Sequence, residues 1–535
     1  MGKITNIVEN GIAGLVSTLE FRSSEKRPQH SPVETSATGK KSSFISFIFG
    51  ETLNRKYLLI AVIGTIVQFV VFKMLYPFPD FISDSYSYIA TNIYHMDVNL
   101  WPIGYSKFLL WIHMISHSDI FLVSVQYFLL EVSLAYFFFS ILYLYRPGKS
   151  IAIIIYLFLF FNPLFLYLSN AILSDSLFAA LTTVFFTQFL WMLDRPTFIQ
   201  VIIQGVIIGI CFTIRYTAIY YPLISLAGLL LSKHCPSIKL AGFLLGVILM
   251  IPFYIYTCQK TKEATGTAEF SVFGGWQIAN NALYMYNHIE VDSSKLPVET
   301  RSLDRLSRQF FKQVNPSQQE LSQLPGTYFI KVPYAILKPY MIARYTYDNP
   351  RDQFATWGKV SPIYNKYGTY LITHHPIAFS RYYLWMNVKN YFLPHLEKFS
   401  VYNLKIQTVP TVVQDWFHYI TPDVFSKLPA KFQGKIFYIF PMVFMFLNIY
   451  FGWSLIWLII SHRFNSLTLN KRLSLYLTII FLVVNFAFSV FATPVVLRYQ
   501  VVPLILLFTY SALLFELPDT KNVDNRINNN LSVTI

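Results

Sequence analysis

YLLIAVIGTIVQFVVFKML, residues 57–75, is followed after a short turn by FISDSYSYIA, residues 81–90. The first stretch has the length, about 20 apolar residues, that crosses roughly 30 Å of hydrocarbon. Arg55 and Lys56 precede it. The second stretch places Asp84, with Asp80 four residues earlier, beyond the far end of that span. A carboxylate there costs free energy unless a polar or charged group meets it, so the pair marks a candidate site at the membrane face.

Further apolar runs follow at 119–145, 150–167, 171–193, 198–214, 216–232, 238–258, 436–460, 473–491 and 497–516. With 54% hydrophobic, 18% aromatic and 13% charged residues in a chain of 535, they predict an all-α polytopic membrane protein with about ten transmembrane helices. A net charge of +15 in so apolar a chain points to basic cytoplasmic loops and anionic lipid, and away from nucleic acid. Cys211, Cys235 and Cys258 lie in or beside apolar runs without disulfide or metal-ligand spacing.

Lysine and arginine set the orientation. Residues 1–56, polar and without the apolar core of a signal peptide, read as a cytoplasmic tail, with FISFIFG at 44–50 as an interfacial helix or one packed on the bundle. The inner loops then hold Arg146 and Lys149, Arg195, Lys233 and Lys239, and Arg463, Lys471 and Arg472, and residues 517–535 form a second cytoplasmic tail. Only Arg215 and Arg498 fall at short outer turns. The run 198–232 is too long for one ordinary span, and dividing it at Arg215 preserves the charge pattern downstream.

Two segments remain outside in this topology. Residues 76–118 carry two amphipathic stretches, SYSYIATNIYHM and GYSKFLLWIHMIS, expected as helices along the outer face, with a re-entrant hairpin as the other reading. Residues 259–435 form a Tyr-rich, mainly helical extracytoplasmic domain between an N-terminal membrane module (57–258) and a C-terminal one (436–516). Its helix signals are SLDRLSRQFFKQ and HPIAFSRYYLWMNVKNYF, where Pro376 suits a first helical turn. No internal repeat is evident, which weighs against transporter halves.

Asp80, Asp84 and Asp175 share one face with Arg215 and Arg498. Carboxylates there take a proton from an acceptor or hold a metal, and guanidiniums grip a phosphate with two parallel hydrogen bonds. The combination suits a lipid-phosphate substrate whose tail lies in the bilayer. Tyr86, Tyr499 and Trp276, the last in the GGW turn at 274–276, are the aromatic candidates for contacting it. Each residue also has a plainer reading. Ser174 or Asp175 opens a helix as its N-cap, Asp80 shapes a turn after Pro79, the arginines snorkel to headgroups, and GGW marks a tight loop. His374 and His375 lead into a helix, and Glu131 sits too deep in a span for the outer-face site.

An acid in the first outer loop, amphipathic helices, then NPLFLYLSNAILSDSLFAAL, the FTIRYTAIYYP hinge and the late LRYQVVP span together resemble the GT-C superfamily of integral-membrane glycosyltransferases. More narrowly, they resemble the dolichyl-phosphate-mannose protein mannosyltransferase and aminoarabinose transferase group. The likeness covers about 57–258 and 436–516 and rests on the order of the motifs. It implies transfer, with inversion, of a sugar from a polyprenyl-phosphate donor to a glycan, lipid or protein acceptor at the outer face of a bacterial cytoplasmic membrane. Asp84 would be the base or acceptor-positioning residue, and Arg215 and Arg498 would bind the lipid phosphate. Family members often pair acids in this loop, whereas Asp84 is flanked by Ser83 and Ser85, so Asp80 or Asp175 must supply a second carboxylate and a divalent metal stays open. The other classes are a ligase or polymerase of lipid-linked oligosaccharides, and a flippase or transporter.

Overall fold

The computed structural model describes residues 43–516 except 315, 318, 319, 322, 323, 325, 347 and 493. The expected tails lie outside the described residues apart from 43–56, within which Phe44–Gly50 is helical. The described chain is all-helical, with no strands among the described residues and three isolated bridges.

Among the described residues, eight helices are long and apolar enough to cross a membrane: Thr52–Leu75, Asp119–Tyr145, Lys149–Asn170, Asp175–Asp194, Pro236–Thr265, Phe432–Ile460, Leu469–Ala492 and Leu497–Phe515. The protein is therefore a multi-pass helical membrane protein. The sequence led to ten spans, and the other two apolar segments fold as the shorter helices Phe198–Ile214 and Tyr216–Leu231. At 1.5 Å per residue, a helix of 17 residues rises about 26 Å, short of the hydrocarbon thickness. The break between them falls at Arg215, whose backbone is extended and which a 3-10 turn, Tyr216–Tyr220, follows.

Burial separates inner helices from outer ones. Asp175–Asp194 and Leu497–Phe515 have 78% and 72% of their apolar windows buried, against 17% for Pro236–Thr265 and Phe432–Ile460. The outer helices present Leu244, Ile248, Phe446 and Ile449 outward, as lipid-facing surfaces do. The inner two begin with the sequences that hold Asp175 and Arg498. The span Lys149–Asn170 is itself interrupted after Phe160: Asn162 caps its second part, Pro163–Asn170, by accepting from the Leu164 N–H at 3.0 Å, with Pro163 in the first turn, and residues 171–174 then lead into Asp175.

The stretch 76–118 contains the helices Ser83–Ile93 and Gly104–Ile115. The second exposes Trp111, Met114 and Ile115 while burying Tyr105 and Leu109, so apolar side chains lie on both of its faces and it is less amphipathic than the sequence led us to expect. In 259–435 the helices Val272–Leu283 and Pro350–His374 pack around the Trp276–Trp357 stack, whose ring centroids are 3.9 Å apart. The segment 376–392 is helical with a π-turn at Ser380–Leu384. Asp304, fully buried, receives the hydroxyls of Tyr286 (2.7 Å) and Tyr367 (3.0 Å) and the Arg308 Nε–H (2.8 Å), which accounts for part of the tyrosine-rich composition.

The helix pair approaches closely at Gly368, where a Cβ would lie 2.6 Å from the Ile278 carbonyl. Backbone cannot rotate away as a side chain can. Gly368→Ala should therefore lower stability by about 1–3 kcal/mol, read as a lower unfolding midpoint in detergent. An unchanged midpoint would contradict this packing.

Candidate functional site

Two short parallel bridges between distant segments assemble the site. Asp80 pairs with Ala171, its N–H donating to the Asn170 carbonyl at 3.0 Å while Ile172 donates to the Asp80 carbonyl at 3.2 Å. Four residues on from each partner stand Asp84 and Asp175. His395 pairs with Val496, the Leu497 N–H donating to the His395 carbonyl at 2.8 Å, and two residues on stand Glu397 and Arg498. Equal offsets from parallel bridges carry four charges into one place.

Arg498 is the hub. Its Nη1 donates to Asp175 Oδ2 at 2.9 Å, its Nε to Glu397 Oε2 at 2.7 Å, and its Nη2 lies 3.9 Å from Asp84 Oδ2. Each nitrogen of the planar fork thus addresses a different carboxylate, a division one ammonium cannot reproduce. Arg215, at the helix break, donates to the other Asp175 oxygen. Both guanidiniums stand 4.4 Å from the centroid of the Tyr499 ring, within cation–π range. Lys331 Nζ completes Glu397 by binding Oε1 at 2.8 Å.

Glu397 occupies the left-handed region, with φ of 50°, a conformation that costs a side-chain-bearing residue on the order of 1–3 kcal/mol. The two cations and the adjacent bridge hold it there. Burial opposes its ionisation, but Arg498 and Lys331 outweigh burial and keep its carboxyl well below the ordinary range. The ionised form therefore stabilises the fold fully above its ordinary value of 4.5, and that contribution is lost as the pH falls. Glu397→Gln should lower the midpoint at neutral pH and flatten its fall on acidification. Parallel acid limbs in variant and wild type would contradict the pairing.

Asp84 differs from its neighbours. Its side chain is 22% exposed against 2% for Asp175, and its nearest cation is the 3.9 Å approach of Arg498. Burial raises its proton affinity above the ordinary range, as do the Glu397 and Asp175 carboxylates, with Arg498 and Lys331 opposing. Lys398, 1% exposed, has no hydrogen-bond partner for its Nζ among the described residues, and burial draws its proton affinity down.

These groups line a cavity of about 1670 Å³ between the membrane helices and the 259–435 segment. Asp84, Tyr86, Arg215, Arg498 and Tyr499 are on its wall, with Tyr88, Lys331, Glu397 and Lys398. Asp175 stands behind the wall, beside the lining residue Ser174. Ser174 makes no side-chain capping bond, and both Asp175 oxygens go to arginines, so the capping reading does not describe the contacts found.

Asp80 and Trp276 lie elsewhere. Asp80 is 4% exposed and pins the first loop to the segment after 400, accepting the Asn403 N–H at 3.1 Å while Asn403 Oδ1 accepts the Phe81 N–H at 3.1 Å. Burial raises its pKa to about 6, with Lys398 opposing. Trp276 is fully buried in the extramembrane core, its indole N–H bound to the Trp357 carbonyl at 3.1 Å. Among the described residues no three His, Cys, Asp or Glu side chains are placed to hold a metal, and the carboxylates here already meet cations. This donor set does not fit a divalent cation.

Glu397, Lys331 and Lys398 were not among the sequence candidates. The charged pair Glu397–Lys398, enclosed by Leu396 and Phe399 in PHLEKFS, could have signalled the first and last of these, and no such mark surrounds Lys331 in YFIKVP. Compared with protein-family models, curated proteins and solved structures, the chain has no match in any of the three.

Proposed function

We propose that the protein is a GT-C-type membrane glycosyltransferase, moving a sugar from a polyprenyl-phosphate donor to an acceptor at the extracytoplasmic face, with ten membrane crossings. One observation carries this reading: a large cavity at the helix ends is lined by the carboxylates of Asp84, Glu397 and Asp415, and Asp84, which lacks the close ion pairs that tie up Glu397, stands at the cluster of Arg215, Arg498, Lys331 and Lys398, the last with no hydrogen-bond partner for its Nζ among the described residues. A phosphate would meet the cations, and Lys398 would gain the partner it lacks. The wall also includes Ile214, Thr217, Phe488 and Ala492 at the ends of apolar helices, a route by which a lipid tail would leave toward the bilayer.

In the proposed reaction an acceptor hydroxyl attacks the anomeric carbon from the face opposite the phosphate. The new glycosidic bond forms as the old C–O bond breaks, so the configuration inverts. Asp84 takes the hydroxyl proton, and the bonding pair of the broken bond leaves with the polyprenyl phosphate. The growing negative charge on that leaving group is met by cations already in place, which need little reorganisation. Asp175 and Glu397 act as positioning residues that hold the guanidinium of Arg498.

Polyprenyl phosphate should raise the unfolding temperature of the purified protein in detergent, and the uncharged polyprenol should not. Equal shifts from both lipids, or none from either, would remove the phosphate from the account.

A further inference from the structure

The cavity exceeds the roughly 300–1,000 Å³ of a pocket for one small ligand, and its chemistry changes along its length. The helix Ser83–Ile93 shows why. Asp84, Ser87, Ala90 and Tyr94 all line the cavity, so its wall follows that helix for about 15 Å away from Asp84. Asn99 is fastened one turn along, its Nδ2 donating to Ser87 Oγ at 3.0 Å and Thr91 Oγ1 at 2.7 Å. That anchor presents Trp101, two residues later, to Phe273 at a ring distance of 4.9 Å. Trp357 follows, its ring nearly parallel to that of Phe273 at 6.5 Å. Trp101, Phe273 and Trp357 all line the cavity.

This aromatic end also holds polar atoms with nothing to bind. Trp357 is 8% exposed, yet its indole N–H has no hydrogen-bond partner among the described residues. Gln277, also on the wall, is 7% exposed; its Nε2 donates to the Gly326 carbonyl at 3.0 Å and to Asn281 Oδ1 at 2.6 Å, which fixes the amide orientation and leaves Oε1 without a partner among the described residues. A buried polar atom left unpaired costs about 1–3 kcal/mol, and such atoms in a cavity wall are supplied by whatever fills the cavity.

We propose that this aromatic end is a saccharide subsite, taking the uncharged sugar rings of a glycan whose reacting end lies at Asp84. Sugar C–H groups, weakly positive, pack on the electron-rich faces of Trp101 and Phe273. Sugar hydroxyls both accept and donate, which is what the Trp357 N–H and the Gln277 carbonyl require. A peptide bound as an added strand would need a sheet edge, and no strand exists among the described residues. The inference deepens the transferase reading and rests on it for the ligand class.

The test is direct binding, independent of turnover. Saturation-transfer NMR on the full-length protein in detergent would screen methyl glycosides of glucose, galactose, mannose and N-acetylglucosamine, together with disaccharides built from them. A Ser/Thr-rich peptide serves as the competing probe. At least one saccharide should bind saturably, with Trp101→Ala and Trp357→Phe each weakening it about tenfold, while the thermal shift from polyprenyl phosphate stays as in wild type. Bound saccharide that survives addition of a polyprenyl-phosphate sugar identifies a separate acceptor glycan, and displaced saccharide identifies the donor's own sugar. The proposal is overturned if no saccharide binds, if the peptide alone binds, or if both variants bind as wild type. Transfer activity without saccharide binding would end this inference alone, and saccharide binding without transfer would end the transferase reading alone.

Discussion

Replacing Arg498 with alanine is expected to unfold the charged cluster from its centre. Asp175, 2% exposed, would keep only Arg215, and Glu397 only Lys331. Removing one partner of a buried ion pair costs about 3–5 kcal/mol, because the remaining charges stay buried without compensation. The unfolding midpoint in detergent should drop sharply, and the stabilisation by polyprenyl phosphate should vanish. Arg498→Lys should fall between, since a single ammonium cannot serve three carboxylates at once. A variant Arg498→Ala that melts as wild type would mean that the ion pairs contribute nothing to the fold.

The second large effect concerns Asp84, and it is kinetic. Asp84→Asn keeps the shape of the side chain and removes its ability to take a proton. Transfer should drop by about 10²–10⁴-fold, the range supplied by a positioned general base. Folding and the polyprenyl-phosphate shift should survive, because Asp84 makes no close ion pair in this structure. The equivalent change at Asp175 should behave differently, lowering stability first, since both its oxygens are bound to arginines. Undiminished transfer by Asp84→Asn would remove it as the base.

Much of the membrane architecture was legible in the sequence. Apolar runs of span length locate all eight long helices, because hydrocarbon thickness dictates their length. The helix break at Arg215 was visible as a charge inside an overlong run, although the segments on either side are shorter than full spans. Composition and loop charge also placed Asp84, Asp175, Arg215 and Arg498 on one side, and these four do meet.

What escaped was the contribution of the extramembrane segment. Glu397 reaches Arg498 through the bridge between His395 and Val496, residues 101 positions apart in sequence. A bridge of one residue pair leaves no periodicity to read. Asp80, after Pro79, was the weaker candidate in the sequence and Asp84 the stronger, and the structure separates them further by burying the first against Asn403 and placing the second on the cavity wall. Trp276, a candidate for substrate contact, stacks on Trp357 inside the core, while Trp357, its neighbour there, lines the cavity together with Trp101.

The most direct measurement follows the sugar itself. Purified protein in detergent would be incubated with a panel of polyprenyl phosphates carrying radiolabelled sugars and with extracted membrane glycans, lipids and peptides as acceptors. Label from at least one donor should leave the polyprenyl phosphate for an acceptor, and should stay on the lipid when the enzyme is Asp84→Asn. Label that remains on every donor, with wild-type protein folded and stabilised by polyprenyl phosphate, would contradict it.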